Sequence, residues 1–217
     1  MICFACESPK ALKVEHYGVL RKVMHENDIS GKVKIDSLDN VNLYGLGALA
    51  QMKGEITVVN GQIYVSKVVD SMAVLGSSEN VNAALFVFSQ VDKWDTLTIK
   101  GDADLELLIG NTLTERGSST PTPFMVIGKP ELVNYHIINL DPMSEDKSDH
   151  KAGAFTDSIE NGALTLLGFY ANDAQGVYTH HDSKIHVHFV DGGSLLNGHV
   201  DEVKLGNNEF KLLIPKP

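Results

Sequence analysis

Three imidazoles, His186, His188 and His199, fall in the segments Ile185-His-Val-His-Phe189 and Asn197-Gly-His-Val-Asp201. Residues two apart on a strand project to the same face, so the β-branched run around His186 and His188 directs both rings one way. Asp191-Gly192-Gly193 supplies a turn after which His199 returns on a neighbouring strand. Three neutral nitrogen donors with a fourth position open form the pattern of a catalytic zinc ion, as distinct from a closed structural one. An alternating His-x-His pair also suits a polar, solvent-facing strand. The third histidine, inside a second short apolar strand pattern, argues for the metal. His180 and His181 follow a Tyr-Thr turn and read as solvated rim residues, while His16, His25, His136 and His150 are scattered.

The elements that must position these rings are mostly strands. Glu55-Ile-Thr-Val-Val and Gln62-Ile-Tyr-Val flank Asn60-Gly61, the strongest short signature of a β-hairpin. Asn82 to Ser89 reads as a strand apolar on both faces and Thr96 to Lys100 as another. Further strands are expected near Phe124 to Gly128, Val133 to Leu140, Ala163 to Tyr170, Ile185 to Val190, His199 to Leu205 and Phe210 to Ile214. Two helices are expected. One spans Val14 to Glu26, where Val14, Tyr17, Leu20, Val23 and Met24 recur at helical spacing; the other spans Asp102 to Glu115, with Asp102 as its cap. The glycine-rich Leu43 to Leu49 reads as a tight turn. The sum is a β-rich α+β protein. Gly117-Ser-Ser-Thr-Pro-Thr-Pro123 is the best internal boundary, and residues 1–12 form a polar start to a domain covering 13–217.

At 217 residues the chain can bury a substantial core. Its formal charge of −10 offers no basic face for phosphate neutralisation, which argues against nucleic-acid partners. Cys3 and Cys6 both stand at the start, so no disulfide staples the body of the fold. Met1-Ile-Cys-Phe-Ala-Cys6 is open to two readings. It is either the plain start of a cytoplasmic protein or the remnant of a signal segment, with Cys6 as the lipid-accepting residue of an exported lipoprotein. Only that attachment would bring the chain to a membrane.

These residues together resemble the bacterial α-acetolactate decarboxylase family. The likeness runs almost end to end: Gly18-Val-Leu, Gly45-Leu-Gly47, Gly54-Glu55, Asn60-Gly61 with Tyr64, Pro123-Phe124, Gly168-Phe169, and then the histidine block, which is its most specific part. The resemblance implies two sheet-rich halves with the metal between them, zinc on His186, His188 and His199, and Glu55 in the active site. It also implies a small-molecule substrate, with a homodimer compatible with the sequence. Acetolactate carries a ketone beside the carbon that bears its hydroxyl and carboxylate. Loss of carbon dioxide therefore leaves an enediolate that a Lewis acid stabilises and a carboxyl group protonates, giving acetoin.

Two departures from the family pattern bear on activity. The resemblance leads one to expect an arginine after the strand at Phe124 to Leu140, where it would grip the substrate carboxylate, but Asn134-Tyr-His-Ile-Ile-Asn139 contains none. Asn139 stands nearest that position, with His136 and Arg116 as other candidates for substrate binding. The family also carries a C-terminal glutamate that reaches the site, whereas this sequence reads Pro215-Lys-Pro217 at its end. The expectation is a zinc-dependent lyase acting on 2-acetolactate or a similar branched 2-hydroxy-3-oxo acid. The alternatives are a weak or inactive homologue that binds zinc and a small carboxylate, and zinc-dependent hydrolysis, since an open three-histidine site also activates water.

Overall fold

The computed structural model describes residues 12–101, 104–118, 120–141 and 152–216. Cys3, Cys6 and the capping role expected of Asp102 lie outside these residues. The described strands form two antiparallel sheets, and the chain completes the first before it begins the second. The first sheet contains β1 (Val14–Tyr17), β2 (Val33–Lys34), β3 (Leu43–Leu49), β4 (Glu55–Val59), β5 (Gln62–Val69), β6 (Met72–Leu75) and β7 (Asn82–Gln90). Its order is β1-β7-β3-β4-β5-β6, with β2 beside β7. The second contains β8 (Trp94–Lys100), β9 (Thr122–Gly128), β10 (Leu132–Ile137), β11 (Phe155–Glu160), β12 (Leu164–Tyr170), β13 (Ile185–Asp191), β14 (Asn197–Lys204) and β15 (Glu209–Pro215). Its order is β11-β10-β14-β13-β12-β9-β15-β8. The α-helices among the described residues are α1 (Leu20–Glu26) and α2 (Leu105–Glu115), and no described helix is long and apolar enough to cross a membrane. The chain passes from one sheet to the other at residues 91–93, while 117–123 runs from the end of α2 into the start of β9 inside the second half.

The two faces of the second sheet have different duties, and the alternation of β13 shows the division. Val187 and Phe189 enter a core with Leu105, Ile109 and Leu113 of α2 and with Phe124 and Phe210. His186 and His188 take the opposite face, towards the first sheet. Where the sheets meet away from the histidines, Met125, Leu167 and Phe169 pack on Tyr44, Leu46 and Val87. This apolar contact fixes how the two halves face each other.

The hairpin forms as expected: Asn60 and Gly61 both take positive φ, 51° and 79°, which a two-residue turn between β4 and β5 needs. Two expectations are corrected. The helix over 14–26 is confined to α1, because Val14–Tyr17 pairs with β7 as β1. Gly18, at φ 75°, separates the two, and a side chain there would run into the carbonyl oxygen of Ala84, 2.1 Å from its Cβ. The helical spacing was real only over its second half. Leu43–Leu49 is a strand rather than a turn, central in its sheet and buried at every residue. A strand covered on both faces does not alternate, and Gly45 leaves room for the Phe86 ring. At α2 the cap is Asp104, whose carboxylate accepts from the Leu107 N–H at 2.8 Å.

Candidate metal centre and active-site cavity

Antiparallel register gathers the imidazoles. His188 lies directly opposite His199 across β13 and β14, and His199 lies opposite His136 across β14 and β10, so three rings form one row over three strands. His186, two residues along β13, completes the group. The rings of His186, His188 and His199 have centroids 4.9 to 5.6 Å apart. One ligand nitrogen from each lies within 4.8 Å of the others. Nε2 of His186 faces Nδ1 of His199 at 3.0 Å.

Burial sets the charge state of this group. Desolvation by burial, followed by the charge of His180, pushes His186 down to about 3, and burial holds His188 and His199 well below the usual imidazole value. All three are therefore neutral donors near pH 7. Nε2 of His188 is buried and meets no hydrogen-bond partner. A buried nitrogen without a partner calls for an occupant, and three neutral imidazoles suit zinc. The residues fit the ion.

Glu55 comes from the other sheet. It opens β4, is 3% exposed, and accepts a hydrogen bond from the Ile138 N–H on Oε1 at 3.0 Å. Its Oε2 stands 3.6 Å from Nε2 of His188. Burial raises its pKa to about 7, against the opposing pull of His136 and of the Ile138 N–H. Behind the rings, a buried polar network joins the sheets. Nδ1 of His188 lies 3.1 Å from Thr57 Oγ1, which accepts from Asn197 Nδ2 at 3.0 Å; Asn197 Oδ1 in turn accepts from the Ser66 hydroxyl at 2.7 Å.

A cavity of about 230 Å³ opens beside the group. Glu55, His136, His180, His186 and His199 give it a polar wall. Leu20, Val23 and Met24 of α1 line it too, with Met52, Leu85, Ile138 and Leu140. Among the described residues no lysine or arginine lines it. His136 is buried and holds both carboxylate oxygens of Asp201 through Nδ1, at 2.9 and 3.0 Å.

The structure brings His186, His188, His199, Glu55 and His136 together and leaves two expected residues apart. Asn139 does not line the cavity; its neighbours Ile138 and Leu140 do, and its side chain accepts from Lys53 Nζ at 3.0 Å. A residue between two inward-facing positions of an extended chain turns away. Arg116 caps the C-terminus of α2 and is paired with Asp95. His180 stands at the cavity wall with its ring 5.3 Å from that of His199, while His181 is exposed. Asp201, Thr57, Ser66 and Asn197 were not singled out from sequence. A period-two signal was present for most of them: Asn197 and Asp201 flank His199 by two residues, and Thr57 follows Glu55 by two.

The α-acetolactate decarboxylase family model matches residues 16–214, and the chain belongs to that family. Among solved structures, α-acetolactate decarboxylase from Bacillus subtilis strain 168 superposes with a TM-score of 0.75 at 17% identity, covering 94% of this chain and 86% of that one. The acetolactate decarboxylase of Bacillus subtilis subspecies spizizenii gives 0.72 at 16% identity, with the same coverage. A Staphylococcus aureus protein of unknown function, described as similar to α-acetolactate decarboxylase, gives 0.72 at 14%, covering 93% and 85%. These likenesses show a shared fold. No curated protein sequence matches the chain.

Proposed function

We propose that this protein is a zinc-dependent lyase that converts 2-acetolactate, or a closely related branched 2-hydroxy-3-oxo acid, to acetoin or its homologue and carbon dioxide. The observation that carries the reading is the meeting of three neutral imidazoles with one buried carboxyl group whose pKa is about 7. His186, His188 and His199 would hold the ion. Zinc, when bound, would supply Lewis-acid stabilisation of the negative charge that develops on the ketone and hydroxyl oxygens.

The bond between the carboxylate carbon and the hydroxyl-bearing carbon breaks, carbon dioxide leaves, and the electron pair stays behind as an enediolate. A proton must then reach that carbon. Glu55 suits the task because a group titrating near neutrality is both a ready donor and easily reprotonated. The Ile138 N–H fixes one of its oxygens and leaves the other towards the histidines. His136, oriented by Asp201, is the group on the cavity wall suited to the substrate carboxylate. Asn139 and Arg116 take no part in this reading.

The test is release of acetoin and carbon dioxide from acetolactate by zinc-loaded protein, and loaded, folded protein that leaves acetolactate intact would count against the reading. One observation favours a second reading, a homologue that binds zinc and a small carboxylate with little turnover: no lysine or arginine among the described residues lines the cavity. Carboxylate binding without product would support it.

A further inference from the structure

The cavity is lined by two unlike sets of side chains, and acetolactate makes full use of only one of them. Its carboxylate, hydroxyl and ketone belong with the histidines and Glu55, which leaves two methyl groups to meet Leu20, Val23, Met24, Met52, Leu85 and Leu140. That apolar wall is tied into the fold. Leu20 and Arg21 donate their backbone N–H groups to the carbonyls of Val177 and Gly176 at 2.7 and 2.8 Å, seating the first turn of α1 over the cavity. The Leu140 N–H donates to the Met52 carbonyl at 3.0 Å, and both residues pack with Val23 in one small core. Val23, Met52 and Leu140 are thus packed in place, and the backbone bonds of α1 seat Leu20 beside them. With no lysine or arginine lining the cavity among the described residues, binding energy remote from the reacting carbons must come largely from apolar contact.

We propose, resting on the decarboxylase reading above, that the preferred substrates are 2-hydroxy-3-oxo acids in which one methyl group of acetolactate is replaced by an alkyl arm of three or more carbons, seated against α1, Met52, Leu85 and Leu140. Each methylene moved from water to that wall is worth about fourfold in binding. A propyl-for-methyl exchange adds two methylenes and therefore gains roughly fifteenfold in kcat/KM, chiefly through a lower KM. The reaction is unchanged: the carboxylate carbon leaves as carbon dioxide, and a proton takes its place.

The experiment compares zinc-replete protein on acetolactate and on the two analogues carrying propyl in place of either methyl, reading carbon dioxide release. In parallel, calorimetry compares unreactive acids of the same shapes whose ketone is reduced to a hydroxyl. A roughly fifteenfold advantage in kcat/KM for at least one propyl substrate, matched by tighter binding of its reduced analogue, is expected. Met24→Trp, which fills the apolar side, should erase that advantage; Leu20→Phe serves the same purpose if Met24→Trp does not fold with zinc. A preference for acetolactate over both analogues overturns the inference and leaves the decarboxylase reading standing. No turnover of any of the three by folded, zinc-loaded protein removes that reading, and the inference with it. A propyl preference that survives in the filled variant overturns the assigned seat.

Discussion

The two sheets contribute to the site in different ways. The second supplies all the imidazoles, from β13, β14, β10 and the loop bearing His180, within a set of strands that pair directly. The first supplies a carboxyl group, a hydroxyl and most of the apolar wall: Glu55 and Thr57 on β4, and α1 between β1 and β2, with Leu140 after β10 completing it. Ligand geometry is therefore set by hydrogen-bonded register inside one sheet. The placing of Glu55 beside the rings, the Thr57 contact of His188 and the enclosure of the cavity depend on how the two sheets pack. On the proposed reading, damage to the second sheet's share should abolish metal binding, and damage to the first sheet's share should leave metal binding while altering what happens beside it.

The largest effect expected is loss of zinc in the His186→Ala, His188→Ala double variant. Two of three donors disappear from one face of one strand, and elemental analysis of purified protein should find well under one zinc per chain. Full occupancy would mean that the ion sits elsewhere, with the second group formed by His136, His199 and Asp201 the next place to look.

Glu55→Gln is the counterpart on the first sheet. The amide oxygen can still accept from the Ile138 N–H, so fold and zinc content should stay as they are. Turnover should fall by roughly a hundredfold or more, the usual scale for an acid-base group. Zinc loss in this variant would blur the contrast between the sheets, and undiminished turnover would end the proton-transfer role.

Acidification separates the two contributions in metal-free protein, because their signs are opposite. Each of the three histidines has a folded pKa below its ordinary value of 6.5, so below that pH the unfolded chain takes up protons that the folded chain refuses, and stability falls as pH falls. Glu55 runs the other way: its folded pKa of about 7 lies above 4.5, so its burial costs stability above pH 7 and less as pH drops towards 4.5. Three groups outweigh one. Chemical denaturation of the zinc-free protein should show lower stability at pH 5 than at pH 7, and Glu55→Gln should steepen the decline. A rise towards pH 5 would mean that the histidines are charged in the folded protein.

The second sheet's share was legible in the sequence because it is local. His186 and His188 obey the period of a strand, and one turn brings His199 back beside them, so spacing alone predicts the cluster. The place of Glu55 came from the family resemblance, since a carboxylate at a strand start carries no mark of burial until the opposite sheet is packed on it. The same limit hides the direction of Asn139. Counting along a strand from Val133 to Leu140 does not reveal that Ile138 and Leu140 face the cavity while Asn139 turns to Lys53. The strand at Leu43–Leu49 was missed because burial on both faces erases alternation.

The smallest effect tests the seam between the sheets. If Nε2 of His188 were to hold the ion, the ring would keep its proton on Nδ1, and Thr57 Oγ1, 3.1 Å away, would be placed to accept it. Thr57 is itself held by Asn197 Nδ2, and Asn197 by Ser66, with all three residues fully buried. Thr57→Val keeps the shape of the side chain and removes the acceptor, leaving the His188 ring without that guide and one Asn197 N–H without its partner. Zinc affinity, measured by competition with a chelator, should drop by roughly tenfold to a hundredfold, the usual cost of losing a partner behind a metal ligand. Thr57→Ser keeps an oxygen at the same branch and should recover most of the loss. If Thr57→Val binds zinc as tightly as the parent while being less stable to denaturant, the network serves only to join the sheets. Ligand orientation would then belong to the second sheet alone.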